Sequence, residues 1–375
     1  MTFLCAQIML IFFGVTAVQP FLFNKGCLVT SWSNWSETNS YGIQTRTRQI
    51  MRFPSDGGQP CPVLFEERVQ SEVDVDCQVS QWSAWGENFG FGQQSRIRNI
   101  TQRPEGAGAK CPEIEDARYT GKVPSVNATA KTVQSKFIRP TGNYSVRRQA
   151  GTGSVRDLLL IMDSSGSIGL KGFKKANTEI SRLIGLLCPL NGPFDKRPTS
   201  LYQHNQAAML TFSTNVYQNF EFDDHSTTYD IQQAIADANY YGRRTDTASA
   251  FRQAVSLYQT NKGARDKSLV KREVLILTDG HSNNPAQTLA AVKELHKVAD
   301  VYGLMTGTFT KEGMDEITSY VSSPVNKHLF YVKDLQELTS LVDFVEDAKK
   351  EAGQNWCAPF DVKYVEHVLV YISRT

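Results

Sequence analysis

Residues 158–167 read Leu-Leu-Leu-Ile-Met-Asp-Ser-Ser-Gly-Ser, and this stretch decides the fold of the longer part of the chain. The apolar run 158–162 predicts a buried parallel β-strand, and the abrupt change to small polar residues predicts a loop at its carboxyl end. Asp163, Ser165 and Ser167 alternate along that loop, so three oxygens point to one side. Oxygen ligands suit a hard divalent cation such as Mg²⁺ or Mn²⁺. The stretch therefore predicts a metal site at the edge where open α/β sheets bind ligands.

Strands and helices alternate from Val155 onwards. The predicted strands are 158–162, 206–214, 216–222, 273–277, 301–307 and 328–332. The predicted helices are 173–187, 229–239, 248–259, 285–298, 311–321 and 335–349. Alternation of this kind predicts an α/β doubly wound (Rossmann-like) sheet with helices on both faces.

A second strand also ends in an acidic residue, because residues 273–277 are followed by Thr278 and Asp279. Asp163 and Asp279 should therefore meet at the carboxyl edge of the sheet. A polar loop containing Thr245 lies between them in sequence and offers a further hydroxyl. Asp-x-Ser-x-Ser, then Thr, then Asp resembles the metal-ion-dependent adhesion site (MIDAS) of the von Willebrand factor A domain, over about residues 155–350.

This resemblance implies a role for each of the five residues. Ser165, Ser167 and Thr245 would supply hydroxyl ligands, and Asp163 and Asp279 would bind the cation directly or through water. One coordination position would stay open for a carboxylate of a partner protein. The implied cofactor is Mg²⁺ or Mn²⁺, with Ca²⁺ as a further candidate.

The amino-terminal part of the chain repeats itself at an offset of fifty residues. Cysteines, tryptophans, arginines, glycines, a glutamine and prolines recur at that offset. The first copies are Cys27, Trp32, Trp35, Gly42, Gln44, Arg46, Arg48, Pro54, Gly58, Cys61 and Pro62, and the second copies are Cys77, Trp82, Trp85, Gly92, Gln94, Arg96, Arg98, Pro104, Gly108, Cys111 and Pro112. Units of about fifty residues cannot bury a sufficient core. Cation–π stacking of Trp and Arg and one disulfide per unit, Cys27–Cys61 and Cys77–Cys111, would stabilise them, although other cysteine pairings fit the sequence as well.

The pattern Trp-Ser-x-Trp, then Arg-x-Arg-x-Ile, then Cys-Pro resembles the thrombospondin type 1 repeat, over residues 26–76 and 77–121. Each unit keeps one of the three bridges usual in that family. The resemblance implies C-mannosylation at Trp32 and Trp82. It leaves two interpretations of Arg46, Arg48, Arg96 and Arg98. They form a basic groove for sulfated glycosaminoglycans, or their guanidinium groups are occupied by the tryptophan rings.

Several features predict a secreted glycoprotein. Residues 1–17 resemble a signal peptide, being apolar with small residues near Ala17. Six cysteines remain after it, an even number that favours disulfides. Sequons occur at Asn34, Asn99, Asn127 and Asn143. We expect no membrane-spanning segment.

Two further segments complete the predicted organisation. Residues 122–154 contain no acidic residue and are rich in Ser, Thr, Gly and Asn, which predicts an extended, basic linker. Residues 351–375 form a carboxyl-terminal tail, in which 362–373 alternate like a short strand. The two remaining cysteines follow the first and last predicted helices of the A domain, so we expect a Cys188–Cys357 bridge. Such a bridge would restrict movement of the last helix and favour a domain of mostly fixed affinity.

The sequence predicts an extracellular adhesion or matrix protein. Its partners would be matrix or cell-surface proteins that offer an acidic side chain, with glycan contacts by the repeats and no nucleic acid. The alternative is a structural component of an extracellular or biomineral matrix without cation-dependent binding. An enzyme is not expected, because the chain lacks a Gly-x-Ser-x-Gly elbow, a His-Glu-x-x-His pair and a phosphate-binding loop.

Overall fold

A computed structural model was analysed. It describes residues 25–39, 42–55, 58–69, 74–139, 155–188, 192–196, 204–259, 262–280 and 282–357. The chain divides into two compact units. The first unit contains the first repeat together with residues 74–80 and 99–112. The second contains residues 81–98 and the chain from Glu113 on.

Short antiparallel strand pairs build both repeats, in the same arrangement. The strands are β1 Leu28–Val29, β2 Ile43–Thr47, β3 Ile50–Arg52, β4 Phe65–Val69, β5 Gln78–Val79, β6 Gln93–Ile97, β7 Ile100–Gln102 and β8 Glu115–Tyr119. In the first repeat β1 pairs with β3 and β2 with β4, and in the second β5 pairs with β7 and β6 with β8. Disulfides join Cys27 to Cys61 and Cys77 to Cys111. Small antiparallel β units held by disulfides thus precede the larger domain.

The larger domain has a six-stranded sheet in the order β11-β10-β9-β12-β13-β14. Its strands are β9 Arg156–Asp163, β10 Gln206–Phe212, β11 Val216–Phe220, β12 Lys271–Thr278, β13 Asp300–Thr306 and β14 Leu329–Val332. Strand β11 is antiparallel to β10, and the other neighbours are parallel. The structure confirms the predicted sheet flanked by helices. The antiparallel edge strand follows from a hairpin, since only three residues separate β10 from β11.

The helices are α1 Val126–Val133, α2 Gly169–Ile184, α3 Thr228–Ala236, α4 Thr247–Gln259, α5 Pro285–Leu295, α6 Lys311–Thr318, α7 Val325–His328 and α8 Leu335–Ala352. A π-helical turn, Gln134–Ile138, continues α1, and a 3-10 turn, Gly353–Cys357, follows α8. Polar side chains cap several amino ends: Asn284 accepts from Gln287 N on α5, and Asp334 from Gln336 N and Glu337 N on α8. These capping bonds satisfy helix N–H groups that have no partner inside the helix.

Strand β9 is buried on both faces, as its apolar sequence predicts. Leu158, Leu160 and Met162 pack in one core with apolar residues of α1, α2, α3 and α8. Leu159 and Ile161 pack in the other core with residues of α4, α5 and α6. Alternate side chains of a strand point to opposite faces, so one apolar run serves both layers. This burial fixes where β9 ends and therefore where Asp163 lies.

The structure differs from the predicted extended linker over its first part. Residues 126–138 are helical, and Ser125 caps α1 by accepting a hydrogen bond from Ala128 N. Ala130, Val133, Phe137 and Ile138 are buried in the core that also contains α8. The apolar residues spaced three and four apart supply the reason, because they give the segment a face that packing can cover. The rest of this predicted linker, 140–154, lies outside the described residues.

Other predictions also fall outside the described residues. They are the signal peptide at 1–17, the sequon at Asn143 and the strand at 362–373. Within the described ranges, no helix combines the length and apolarity needed to cross a bilayer.

Candidate metal centre

The candidate metal centre lies where strands β9 and β12 end side by side. The two strands are parallel neighbours, with Leu277 of β12 aligned with Met162 of β9. Asp163 is the last residue of β9, and Asp279 directly follows β12. The shared sheet edge therefore brings together two carboxylates that are 116 positions apart in sequence. Helix α2 begins at Gly169, shortly after the serine loop.

Hydrogen bonds connect four of the five predicted ligands into one network. Asp163 Oδ1 accepts from Ser165 N at 2.7 Å. The hydroxyl oxygens of Ser165 and Ser167 are 3.0 Å apart, and Ser167 Oγ donates to Asp279 Oδ1 at 2.8 Å. The second carboxylate oxygen of Asp163 accepts from Thr278 Oγ1 at 2.6 Å. Hydroxyl and carboxylate oxygens from two strand ends thus converge at one place.

Burial dominates the electrostatics of both carboxyl groups. Asp163 is only 1% exposed. Burial raises its pKa to about 6, against the lowering effect of hydrogen bonds from Thr278 and Ser165. Burial likewise raises the pKa of Asp279, which the hydrogen bond from Ser167 partly opposes. One buried and one half-buried carboxyl group that accept these bonds from neutral donors are costly to ionise together.

This donor set fits a hard divalent cation. It consists of serine hydroxyls and aspartate carboxylates, the oxygen ligands that Mg²⁺ and Mn²⁺ accept. A cation placed there would supply the positive charge that the buried carboxylates lack. In the part of the chain that the structure describes, no group of three or more His, Cys, Asp or Glu side chains converges on a metal position.

The loop that carries Thr245 lies against the serine loop. The carbonyl of Arg243 accepts from Gly166 N at 2.8 Å, and the carbonyl of Thr245 accepts from Asn283 N at 3.1 Å. Arg243 adopts a left-handed conformation with φ of 82°. The structure thus places the Thr245 backbone between the loops of Asp163 and Asp279. Its hydroxyl remains a proposed ligand.

Asp246, the additional acid in this loop, already has a structural role. Its Oδ1 accepts from Ser249 N at 3.1 Å, and its Oδ2 accepts from Ser249 Oγ at 2.7 Å. These bonds cap the amino end of α4, which starts at Thr247. The carboxylate of Asp246 is therefore engaged by its own helix.

The sequence analysis missed three residues that shape this centre. Thr278 donates to Asp163, Tyr240 donates its hydroxyl to the carbonyl of Ser165 at 3.2 Å, and Ser164 accepts from Tyr241 N at 3.2 Å. Thr278 lies at the end of a predicted strand, next to Asp279, and this position could have indicated its role at the metal centre. Tyr240 and Ser164 act across long sequence separations that no local pattern reveals.

The repeats place arginines over tryptophan rings in both copies. Arg46 lies 4.9 Å from the Trp32 centroid and 4.6 Å from that of Trp35, and Arg48 lies 4.2 Å from Trp32. Arg96 and Arg98 make the corresponding contacts with Trp82 and Trp85, at 4.9, 4.6 and 4.3 Å. Arg46 also pairs with Glu66, and Arg96 with Asp116. All four candidate glycan-binding arginines are thus already engaged within the repeats.

A third arginine in each repeat was not recognised from sequence. Arg68 lies 4.3 Å from Trp35 and bonds to Gln44, and Arg118 lies 4.2 Å from Trp85 and bonds to Gln94. Arg68 and Arg118 differ by the same offset of fifty, so the internal repeat already contained this signal.

The described sequon asparagines Asn34, Asn99 and Asn127 are exposed. Thr129 of the third sequon is buried, and its hydroxyl donates to the carbonyl of Tyr331 at 3.5 Å. Packing of α1 therefore gives this threonine a role that is independent of glycosylation.

A third disulfide joins Cys188, after α2, to Cys357, after α8.

The sheet, its flanking helices and the acidic strand ends define a class of protein. Residues 157–344, half of the chain, match the von Willebrand factor type A domain, and the chain belongs to that family.

The relatives are identical to this chain at about a quarter of the aligned positions. Matrilin-2 of Mus musculus is 24% identical over 218 residues, which are 56% of this chain and 21% of the relative. Matrilin-1 of Mus musculus is 23% identical over 198 residues, 52% of this chain and 36% of the relative. The collagen alpha-4(VI) chain of Mus musculus is 26% identical over 190 residues, 50% of this chain and 8% of the relative. This chain thus spans well under half of the length of these relatives.

Solved structures of proximal thread matrix protein 1 (PTMP1) from the mussel byssus are also similar. The one with a zinc-occupied MIDAS motif has a TM-score of 0.45 at 19% identity, covering 53% of this chain and 49% of that chain.

Proposed function

We propose that this protein is an extracellular adhesion or matrix protein that binds acidic protein ligands through a divalent cation. The observation that carries the proposal is the network from Asp163 through Ser165 and Ser167 to Asp279 at the carboxyl edge of the sheet. Ser165, Ser167, Thr245, Asp163 and Asp279 would hold Mg²⁺ or Mn²⁺, with Ca²⁺ as a further candidate. The bound cation would act as a Lewis acid toward the carboxylate of a partner.

The residues around the ion have separate tasks in this proposal. The serine hydroxyls are neutral ligands, so they would leave more of the positive charge of the ion available to a partner's carboxylate. Thr278 and the backbone of Ser165 orient Asp163 by hydrogen bonds to its two oxygens. Tyr240 holds the carbonyl of Ser165, which fixes the serine loop. The centre is thus positioned by packing before any ligand arrives, which reduces the ordering cost of binding.

The proposed location is the extracellular space or matrix. Matrilins and a collagen chain, which are extracellular matrix proteins, are among the relatives. The disulfides and the sequon asparagines agree with that compartment. We extend the proposal to a signal peptide at residues 1–17 and to glycosylation at the four sequons.

The repeats would be thrombospondin type 1 repeats in which stacked Trp and Arg side chains replace a conventional core. The alternation of Arg48, Trp32, Arg46, Trp35 and Arg68 supports this proposal. C-mannosylation at Trp32 and Trp82 belongs to the same proposal. Glycosaminoglycan contacts would add weak sites, and several weak sites on one chain raise avidity.

A purely structural matrix component is the second candidate. It is favoured by the observation that both carboxylate oxygens of Asp163 accept hydrogen bonds from groups of the protein itself. In either case, helix α8 is held at its end by the Cys188–Cys357 bridge and by Trp356, whose Nε1 donates to the carbonyl of Leu186 at 2.8 Å. We therefore propose a domain of mostly fixed affinity.

Binding of Mn²⁺ to the full chain tests the proposed centre. Free Mn²⁺ is followed by electron paramagnetic resonance in wild-type protein, in Asp163→Asn and in Ser165→Ala. We expect wild type to bind one ion and each variant to bind at least about tenfold more weakly, because each loses a group that would hold the ion directly or through water. Asp347→Asn is the control, since Asp347 is exposed and pairs with Lys350 on α8. Equal Mn²⁺ affinity in all four proteins contradicts the proposal.

Capture from extracellular matrix then separates the two candidate functions. Proteins retained by the wild-type chain in Mg²⁺ should be released by EDTA and should not be retained by Asp163→Asn. Retention that is unaffected by EDTA and by the substitution favours the structural component.

A further inference from the structure

Residues 81–98 and 113–121 of the second repeat share a compact unit with the A domain and contact it through strands β6 and β8. Gln93 Nε2 donates to Thr318 Oγ1 at 3.0 Å, and the hydroxyl of Tyr119 donates to Asp315 Oδ1 at 3.0 Å. Both acceptors belong to helix α6. Gln93 is only 3% exposed, so this contact is well buried. The repeat is therefore attached to α6 by side chains of two of its strands.

The turn before β6 fits closely against strand β14. Gly90 has φ of +50°, and a Cβ built on it would lie 2.7 Å from Leu329 Cδ2. The next residue, Phe91, is 3% exposed. Its ring centroid lies 4.8 Å from that of Tyr331 and 5.1 Å from that of Phe309. The repeat thus packs an aromatic side chain against two neighbouring rings of the A domain.

Helix α6 connects this contact surface to the loop of Asp279, here meaning residues 279–280 and 282–284. Glu316 directly follows Asp315 on α6. Its Oε1 accepts from Ser282 N at 3.2 Å, from Ser282 Oγ and from the hydroxyl of Tyr320. One carboxylate oxygen thus fixes the loop three residues after Asp279.

Strand β14 provides a second connection to Asp279. The hydroxyl of Tyr331 donates to the carbonyl of Gly307 at 2.8 Å. Gly307 has φ of +109°, and a Cβ built on it would lie 3.3 Å from the carbonyl oxygen of Asp279. The backbone of Gly307 therefore lies directly against Asp279. The ring that fixes Gly307 is also the ring on which Phe91 packs.

We propose that the second repeat is a positioning element for the Asp279 loop of the candidate metal centre. It acts through α6 and Glu316 on Ser282, and through Phe91, Tyr331 and Gly307 on Asp279. Residues Gln93, Tyr119, Phe91 and Glu316 are positioning residues, since none of them belongs to the proposed ligand set. This inference rests on the proposed cation site, and its physical basis is a set of direct contacts.

The first repeat lacks the residues needed for the same contact. At the offset of fifty it has Ser40 in place of Gly90, Ile43 in place of Gln93 and Phe65 in place of Glu115. A side chain at the Gly90 position would collide with Leu329. The duplicated units have therefore diverged at the positions that contact the A domain, which indicates that this contact is specific to the second repeat.

Two measurements on the full chain test the inference. The first is the Mn²⁺ affinity of Glu316→Ala, Glu316→Gln, Tyr119→Phe and Phe91→Ala. We expect about tenfold weaker binding for Glu316→Ala and about threefold weaker binding for Tyr119→Phe and Phe91→Ala. Glu316→Gln should bind almost as wild type does, because the amide oxygen can accept the same three hydrogen bonds. The second measurement is amide hydrogen exchange of Ser282 and Asn283 in metal-free protein, which should be faster in the three weakened variants.

Arg103→Ala is the control. Arg103 is an exposed residue of the second repeat and lies outside strands β6 and β8. The substitution should leave both measurements unchanged.

The outcomes separate this inference from the proposed function. If wild type binds no Mn²⁺ but exchange of Ser282 and Asn283 accelerates in the variants, the cation site fails and the positioning role stands. If wild type binds Mn²⁺ and the folded variants match it in affinity and exchange, the positioning role is overturned. Tyr119→Phe decides the question if Glu316→Ala or Phe91→Ala does not fold.

Discussion

At the scale of single residues, the carboxylates of the A domain and the arginines of the repeats are stabilised differently. Asp163 is buried and accepts only from neutral donors, so its charge is poorly compensated within the protein. Arg96 has an acidic partner, Asp116, and lies over two tryptophan rings. A bound cation would compensate the negative charge of Asp163. The positive charge of Arg96 is already compensated by Asp116 and the two tryptophan rings. We therefore expect ligand binding at the carboxylates and a structural role for the arginines.

Charge reversal of Arg96 tests that structural role. Arg96→Glu removes two cation–π contacts and places a carboxylate beside Asp116. We expect the repeat to lose about 2 kcal/mol or more of stability, measured by thermal melting and near-ultraviolet circular dichroism. Arg103→Glu is the control with the same change of charge, at an exposed position. A folded Arg96→Glu protein that is no longer retained on heparin, while Arg103→Glu is retained, favours the glycan-binding groove instead.

At the scale of elements, α1 changes the interpretation of the segment between the repeats and the A domain. The helix and its π-helical continuation pack against α8 and strand β14 and bury Phe137 completely. The ring of Phe137 lies 5.1 Å from that of Tyr302. A segment with this much buried apolar surface is part of the domain core. Lys131, one of the basic residues that suggested a spacer, is exposed on the same helix.

Truncation of Phe137 measures the contribution of this element. Phe137→Ala should destabilise the A domain by about 3–5 kcal/mol, because it removes a fully buried ring and leaves a cavity. The measurement is denaturant unfolding of the full chain, with Lys131→Ala as the control in the same helix. If Phe137→Ala unfolds at the wild-type denaturant concentration, α1 does not contribute to the core and the linker interpretation returns.

At the scale of the whole molecule, residues 81–98 and 113–121 of the second repeat share one compact unit with the A domain, although the repeat and the domain look like separate modules in sequence. Phe91 belongs to the same apolar core as Phe309 and Leu329. Glu115, Tyr119 and Gln93 add hydrogen bonds to the A domain. Side chains on both sides of the predicted boundary near residue 121 are therefore in direct contact.

A shortened chain shows whether this unit is indivisible. A protein of residues 122–375 should melt about 4–8 °C lower than the full chain, because docking of one phenylalanine and several hydrogen bonds is worth about 2 kcal/mol. It should also bind a fluorescent apolar dye through the uncovered rings of Phe309 and Tyr331. The control removes residues 25–69 alone and should keep the melting temperature of the A domain. Identical melting of all three proteins contradicts the shared unit.

The sequence by itself determined the elements that have a strong local signal. The apolar runs at 158–162 and 273–277 predicted β9 and β12, because strands buried on both faces must be apolar throughout. The offset of fifty predicted two similar units. The same offset relates Arg68 to Arg118, so their equivalent roles could have been predicted as well. The two strand-end aspartates and the serine loop were also predicted, since parallel strands end at one edge of a sheet. These inferences need only periodicity and chain direction.

The tertiary structure alone decided which surfaces meet. Residues 126–138 have an apolar face that becomes a core element only because α8 and β14 offer a surface to cover it. Phe91 matters because it packs on Tyr331 of β14, and Glu316 matters because α6 places it against Ser282 of the Asp279 loop. Tyr240 reaches Ser165 across 75 positions. Local sequence fixes backbone preference and burial, whereas contacts between distant side chains depend on how the finished elements pack.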